Sequence, residues 1–264
     1  KVIKESNIQN LGTKKWILDN GATVMIQPTD FKENEILMPA YSKGGRSLTS
    51  LEEVPSARML PNIISQSGIG EFSHTELKKK LAGKSVDINP YLNELSEGFK
   101  GNCEPEDLET LLKLNYLYMN NPREDETAFN AYLSRVKASI ENKSKDPNMV
   151  FRDSIQYLLA DHHPRKEPIS KEYLEQADFS TMMEVYKDRF QDASDFTFFF
   201  VGNIDPKKAK PLIEKYIGGI KDIDRDENWK NLGIKPPKGE YKRDFTKEMK
   251  VPKASTFVNF SGDF

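Results

Sequence analysis

The chain has 264 residues, of which 37% are hydrophobic and 30% are charged, and its formal net charge is −2. This composition is typical of a folded globular protein, and the near-neutral charge provides no electrostatic case for binding nucleic acid or an anionic membrane. The single cysteine, Cys103, excludes an intrachain disulfide, and no apolar run approaches the roughly 20 residues needed to span a bilayer.

The N-terminal part of the chain predicts three strands followed by a helix. Asn20-Gly21 lies between two apolar runs in residues 16–26, a pattern that indicates a β-hairpin with a type I′ turn. Residues 35–41 predict a third strand. The pattern over residues 52–66 predicts a helix, although Pro61 disfavours a regular helix at that point.

The middle of the chain predicts a short helix, two strands and then a series of helices. Ser73 and Glu76 have the spacing of a capping box at a helix N-terminus. Residues 86–88 and 97–103 predict strands on either side of a turn-rich stretch, 89–94. Four further helices are predicted, one from Pro105, one over residues 125–142, one over residues 149–160 and one capped by Asp178.

Residues 195–206 predict a strand, a tight turn and the start of a helix. Phe198 and Phe200 belong to an aromatic run that we interpret as a central buried strand rather than a stacking platform. Gly202 allows the turn, and Asp205 can cap the helix that follows. The order of all these elements predicts an α+β fold in which a mostly antiparallel sheet has its helices packed on one face.

Seven short motifs follow one another in a distinctive order. They are Asn20-Gly21, Gly44-Gly45, Gly68-Ile69-Gly70, Asp146-Pro147, His163-Pro164, Val201-Gly202-Asn203 and Lys215-Tyr216-Ile217-Gly218. Over nearly the whole chain this order resembles the pitrilysin/insulinase family of zinc metallopeptidases. The resemblance implies a LuxS/processing-peptidase-like domain from the non-catalytic C-terminal half of a bacterial-type member, in which two halves enclose a chamber.

The zinc-binding motif of that family is missing from this chain. Such a site needs two His on one helical face in the motif His-x-x-Glu-His, together with a Glu on a later helix. The corresponding helix, residues 56–63, contains no His, and the positions of the later ligand match Ala138 and Ser139. The resemblance therefore implies no catalytic, cofactor-binding or metal-ligating residue in this chain, and zinc is expected in the other half of the parent protein.

The resemblance also suggests a division of the chain. We interpret residues 1–13 as a lead-in linker and residues 14–221 as the inactive peptidase-like domain. Residues 222–239 are polar and contain Pro236-Pro237, which is typical of a linker. The chain lacks an initiator Met and ends in an apparent strand, so we interpret it as a fragment of a longer polypeptide. The last stretch, residues 240–264, is expected to begin the following domain. Its two predicted strands are residues 240–245 and 255–260.

The histidines and the cysteine have ordinary structural interpretations. His162 and His163 are adjacent, so they cannot chelate a metal as an i,i+4 pair does, and we expect them to cap a helix C-terminus. His74 lies beside a helix cap and is expected to be solvated. Cys103 is expected to be a small buried hydrophobe rather than a nucleophile.

These observations lead to an expected function and one alternative. We expect a non-catalytic domain of a zinc metalloendopeptidase, itself inactive, that closes the chamber and supports peptide binding, for example by strand addition at a sheet edge. Its expected partners are the catalytic N-terminal half of the same polypeptide or a partner subunit, and the peptide substrate. The alternative is a catalytically dead family member acting as a binding or assembly subunit. A bacterial periplasm or cytoplasm is expected, with the periplasm favoured by the resemblance.

Overall fold

The computed structural model describes residues 1–246, 248 and 253–262. The chain divides into two compact units, which we call the sheet unit and the helical unit. The sheet unit comprises Lys1–Asn130 and Ala177–Lys230, and the helical unit comprises Ala131–Gln176 and Asn231–Phe264.

The sheet unit contains a seven-stranded sheet with the order β1-β2-β3-β7-β4-β6-β5. Its strands are β1 (Val2–Ile8), β2 (Thr13–Leu18), β3 (Thr23–Pro28), β4 (Ile36–Lys43), β5 (Val86–Leu92), β6 (Ser96–Cys103) and β7 (Thr197–Gly202). Every neighbouring pair is antiparallel except β3 and β7, which are parallel. The predicted α+β class with a mostly antiparallel sheet is therefore confirmed.

The described part of the chain contains eight α-helices. They are α1 (Val54–Ser67), α2 (His74–Lys80), α3 (Leu108–Asn120), α4 (Glu126–Lys143), α5 (Pro147–Leu159), α6 (Lys171–Leu174), α7 (Phe179–Phe190) and α8 (Pro206–Tyr216). Short 3-10 helices cover Gly45–Leu48, Pro105–Asp107 and Pro164–Lys166. The predicted capping box forms at the start of α2, where the Ser73 N–H donates to Glu76 at 2.9 Å.

The core lies between one face of the sheet and helices α1, α3 and α7, which contact β5 or β6. The burial pattern of β4 shows this directly, because Ile36, Met38 and Ala40 are buried while the residues between them are exposed. Such strict alternation is the signature of a sheet with one covered face and one open face.

The predicted central position of the aromatic strand is confirmed. β7 is the fourth of the seven strands and pairs with β3 on one side and β4 on the other. Phe198 and Phe200 are completely buried, and Phe196 stacks on Phe198 with ring centroids 5.9 Å apart. Asp205 caps α8 by accepting a hydrogen bond from the Lys207 N–H at 2.9 Å.

The structure differs from the sequence predictions at several elements. The stretch that we treat as a lead-in linker holds β1, and β5 continues through the predicted turn as far as Leu92. α1 continues through Pro61 instead of breaking there. No strand forms over residues 240–245 or 255–260, all of which are described.

The helical unit contains the His pair. α5 ends at Leu159, and the next residues Asp161 and His162 have φ values of 49° and 55°. The His162 ring packs edge-on against Tyr157, with centroids 4.9 Å apart. His163 Nδ1 accepts a hydrogen bond from the Arg165 N–H at 3.2 Å, so this side chain caps the following short helix rather than the C-terminus of α5.

Candidate functional site

The helix that the resemblance matches to the zinc-binding helix of the family, α1, serves as a packing element. Ala57, Leu60 and Ile63 of α1 are completely buried, and the buried Ser56 hydroxyl accepts a hydrogen bond from the Asp178 N–H at 2.9 Å. None of these side chains fits a zinc ion as a ligand in the manner of the family.

Ala138 and Ser139, which the resemblance matches to the zinc ligand on the later helix, lie on α4. Neither side chain can supply the Glu ligand of the family. Among the residues that the structure describes, no group of three or more His, Cys, Asp or Glu side chains is arranged to hold a metal ion. Cys103 is buried, as expected, and burial raises the pKa of its thiol to about 12.

The open face of the sheet is the most distinctive surface of the sheet unit. We define the open face by the side chains that alternate with the buried ones on β1 to β7. The residues that lie side by side across this face follow from the strand register, in which Tyr41 pairs with Thr197 and Leu37 with Val201. Leu37 and Tyr41 are 42% and 40% exposed. The apolar members are Ile8, Ile17, Met25, Leu37, Pro39, Tyr41, Tyr91, Phe199 and Val201.

The sequence contained a signal for this surface that our prediction did not use. In β4 both alternating sets are apolar, with Leu37, Pro39 and Tyr41 on the open face and Ile36 and Met38 facing the helices. A strand that is apolar on both sides is typical of a sheet whose two faces are both covered. The open face therefore has the composition of a contact surface.

Four lysines surround the apolar residues of the open face: Lys4, Lys15, Lys43 and Lys100. Lys100 lies with its Nζ 5.7 Å from the centre of the Tyr91 ring. Other lysines of the sheet unit pair with carboxylates, for example Lys84 with Asp107 at 2.8 Å and Lys210 with Glu5 at 3.2 Å.

None of the ion pairs formed within the described residues involves the four open-face lysines. The carboxylate on this face is Asp87, which accepts a hydrogen bond from Asn89 at 2.7 Å. The open face thus combines an apolar centre with unpaired positive charge.

The two edges of the sheet are poorly suited to strand addition. At the β1 edge the register shifts between Val2 and Lys4, and the Val2 N–H donates to Glu214 Oε1 at 2.8 Å. Glu5 on the same strand pairs with lysines on its neighbours. A bulge and charged side chains are ordinary ways of protecting an edge strand.

The β5 edge is interrupted by Pro90. Backbone hydrogen bonds from Glu104 to Ser85 and from Asn93 to Ser96 fix the alternation of the β5–β6 ladder. By that alternation Pro90 lies where the backbone points away from β6, and proline has no N–H to offer an added strand. The peptide-binding role expected for a sheet edge therefore finds no support at either edge.

A partly buried charge cluster lies beside the start of β6. It contains two arginines and five carboxylates, namely Arg189, Arg225, Glu97, Asp188, Asp192, Asp195 and Glu227. Arg189 is 4% exposed and forms a bidentate pair with Glu227, with N–O distances of 2.7 and 3.0 Å. Fork-shaped pairing of this kind is the strong geometry for Arg and carboxylate.

The cluster anchors residues 222–230 to the sheet unit. Arg225 contacts Asp192 at 3.2 Å and Asp188 at 2.9 Å, while the N–H groups of Ile223 and Arg225 donate to Asp192. The Lys230 N–H donates to the Ser47 hydroxyl at 2.9 Å. The stretch predicted to be a linker is thus bound along its first part.

Glu97 and Asp192 are the two deeply buried carboxylates of the cluster, each with 1% of its surface exposed. Glu97 is the one that contacts both Arg189 and the Gly44-Gly45 turn. Its Oε2 accepts a hydrogen bond from the Gly45 N–H at 2.5 Å, and its Oε1 lies 3.9 Å from Arg189. Burial raises the pKa of Glu97 to about 7, against the opposing effect of these two donors. Burial, followed by repulsion from Asp192 and Glu227, raises the pKa of Asp195 to about 6.

Glycine is required where the chain approaches Glu97. Gly45 has φ 57°, and a Cβ there would lie 2.4 Å from the Ser96 nitrogen. The Gly44-Gly45 motif therefore serves to bring a backbone N–H to a buried carboxylate, a role that sequence alone did not indicate.

Comparison with known proteins supports the interpretation of the fold. The sequence model described as "Peptidase M16 inactive domain" matches residues 179–263. A "Zinc protease PQQL-like" protein of Arabidopsis thaliana is 28% identical over 211 residues, covering 80% of this chain and 20% of that protein. The "Probable zinc protease PqqL" of Haemophilus influenzae is 23% identical over 206 residues, covering 77% of this chain and 22% of its own length.

Solved structures show the same fold at lower sequence identity. The periplasmic protease PqqL from Escherichia coli has a TM-score of 0.72 at 18% identity, covering 87% of this chain and 25% of that one. The ferredoxin protease FusC, a mutant solved in complex with Arabidopsis ferredoxin, has a TM-score of 0.72 at 14% identity. The match covers 89% of this chain and 26% of the FusC chain.

The chain spans about a fifth of the length of the curated relatives that it matches. No helix within the described residues is long and apolar enough to cross a membrane. The resemblance to pitrilysin/insulinase zinc peptidases, predicted from the order of short motifs, is confirmed by these matches. The chain is therefore similar to M16 zinc proteases over most of its length, and its residues 179–263 match the model described as the inactive domain of that family.

Proposed function

We propose that this chain is a non-catalytic part of an M16 zinc protease that closes the peptidase chamber and holds peptide substrate on the open face of its sheet. The observation that carries the proposal is the apolar open face of a domain whose zinc-helix positions are occupied by packing residues. An apolar surface of this kind is typical of a contact site. The protein then contributes binding, while the catalytic N-terminal half of the same polypeptide or a partner subunit contributes the zinc.

The similarity to a protease named as periplasmic favours the periplasm as the compartment of this chain. The alternative of a catalytically dead assembly subunit predicts the same fold. A His-x-x-Glu-His motif upstream of Lys1 in the parent sequence would favour the protease over that alternative.

Two measurements on the purified chain test the proposal. First, incubation with unfolded peptides and added Zn²⁺ should give no cleavage above background, because no residue set for activating water is available among the described residues. Cleavage that survives further purification and is abolished by a chelator would contradict this.

Second, fluorescence anisotropy should detect binding of a labelled, unfolded peptide of neutral net charge. Tyr41→Ser removes an aromatic ring from the open face and should weaken this binding, whereas Phe31→Ser serves as the matched control. Phe31 is 89% exposed and is not among the open-face residues. Equal affinities for the two variants, or no binding by the unmodified chain, would refute the role of the open face.

A further inference from the structure

The lysines of the open face have a regular placement relative to its apolar centre. One row across the sheet reads Asn89, Lys100, Pro39, Phe199, Met25, Lys15 and Ser6, from β5 to β1. Lys100 and Lys15 therefore lie on either side of three consecutive apolar residues. The row follows from the register of each strand with its neighbour, in which Met25 pairs with Phe199 and Lys15 with Met25.

The distance between these lysines defines the size of an occupant. β6 and β2 are separated by four strand steps, which at roughly 4.8 Å each gives about 19 Å between the two backbones. An extended polypeptide rises about 3.3 Å per residue, so about six residues cover this distance. Acidic residues about six positions apart, with apolar residues between them, would match both the charge and the spacing.

The charge of the open face favours one class of ligand. Lys15 and Lys100 form no ion pair within the described residues, although the sheet unit pairs many of its other lysines. Lys4 and Lys43 add positive charge at the margins of the same face, and Asp87 is the opposing carboxylate. Uncompensated charge beside an apolar patch selects partners by electrostatic complementarity.

We infer that the open face selects extended peptide segments in which acidic residues flank a short apolar core. The inference rests on the proposed peptide-holding function and adds the chemical class of the peptide. The apolar centre supplies sequence-tolerant contact with the core of the segment, and Lys15 and Lys100 supply the preference for its charged ends.

Three labelled dodecapeptides test the inference. They share one central apolar segment of four residues and differ only in the residues on each side of it, which are Glu, Gln or Lys. At low salt the Glu peptide should bind the unmodified chain roughly tenfold more tightly than the Gln peptide, and the Lys peptide should bind most weakly. At about 0.5 M salt the three affinities should converge, because exposed charges are then screened.

A charge reversal at the flanking lysines gives the decisive comparison. The double variant Lys15→Glu with Lys100→Glu should invert the order, so that the Lys peptide binds most tightly. The control variant, Lys79→Glu with Lys208→Glu, changes the net charge equally at exposed positions on α2 and α8 and should keep the original order. Matching melting curves would show that both variants are folded.

The outcomes separate the inference from the proposed function. If all three peptides bind the unmodified chain equally, the charge preference is refuted while peptide binding stands. If the control variant inverts the order as well, the effect comes from net charge and not from the open face, which also refutes the inference. If none of the three peptides binds, the proposed function fails together with it.

Discussion

Replacing Glu97 with Gln should remove a pH-dependent loss of stability from the sheet unit. Glu97 has its pKa raised by burial from the usual 4.5 to about 7. A carboxyl whose pKa is higher in the folded state binds its proton more tightly there, so it stabilises the fold fully below about pH 4.5. That stabilisation is lost as the pH rises through about 7.

The magnitude follows from the two pKa values. The difference between 4.5 and about 7 corresponds to about 3 kcal/mol between pH 4 and pH 8. Glutamine is close in shape and stays neutral, and its amide oxygen can still accept the Gly45 N–H that Glu97 accepts at 2.5 Å. The variant should therefore match the native protein within about 1 kcal/mol at pH 5 and exceed its stability by up to about 3 kcal/mol at pH 8.

Urea unfolding at pH 5 and pH 8 measures this difference. The buried Trp16, 2% exposed, provides a fluorescence signal from within the sheet. Glu106→Gln is the matched control, because it makes the same chemical change at an exposed position and should leave the pH dependence as it is. Asp195, whose pKa is raised to about 6, also makes the free energy of unfolding fall as the pH rises, and the native protein and Glu97→Gln share this contribution. Identical changes in the free energy of unfolding between pH 5 and pH 8 for native protein and Glu97→Gln would refute the reasoning.

Three further predictions concern the core, the metal and the C-terminal tail. Phe198→Ala should lower the free energy of unfolding by about 3–5 kcal/mol, because the ring is completely buried. The control Phe31→Ala, at an exposed turn, should change it by less than about 0.5 kcal/mol in the same urea titration. A loss below about 1 kcal/mol for Phe198→Ala would contradict the central placement of β7. The purified, tag-free chain should retain no stoichiometric zinc after dialysis, as measured by elemental analysis, and a tightly held ion would overturn the assignment of α1 as a packing helix. Phe257 and Phe260 in the C-terminal tail are 52% and 93% exposed. Deleting residues 238–264 should therefore shift the melting temperature of the sheet unit by less than about 2 °C. A large decrease would show that the tail belongs to the core of that unit.

Local sequence patterns predicted the elements that are specified by their own residues. The Asn20-Gly21 turn joins β2 and β3, and the aromatic run of β7 lies at the centre of the sheet. Turn chemistry, capping residues and strand composition act over a few positions, so they can be read without knowing the fold. The elements built on these signals were predicted correctly, but the type I′ turn expected at Asn20-Gly21 was wrong, because Gly21 has a φ of 79° whereas the φ of Asn20 is not positive.

Elements that depend on a pairing partner rather than on their own sequence pattern were missed. β1 has only one residue that is even partly buried, so its sequence lacks the alternation that marks a strand, and its pairing with β2 stabilises it instead. The two predicted strands in the tail have suitable composition but do not form in this chain. Composition predicts a strand only where a partner strand is present to complete the ladder.

The candidate site was the least predictable part. Glu97 and Arg189 lie far apart in sequence, and only the packing of α7 against β6 brings them to 3.9 Å. The open face depends on the register of seven strands, including one parallel pair that no local pattern specifies. By contrast, the absence of His from residues 56–63, which the resemblance matches to the zinc-binding helix of the family, was readable directly from the sequence.

The central position of β7 determines when this sheet can be completed during synthesis. β3 and β4 are close in sequence, yet the strand that joins them is β7, which leaves the ribosome only after all the other strands. At roughly 5–20 residues per second, the ribosome needs on the order of ten seconds or more to make the intervening chain. During that interval the strands β1–β3 and β4–β6 can exist only as two separate fragments of the sheet. Their unpaired apolar edges are prone to aggregate until β7 is inserted between them. The nascent chain is therefore a natural client for chaperones that hold unfolded proteins.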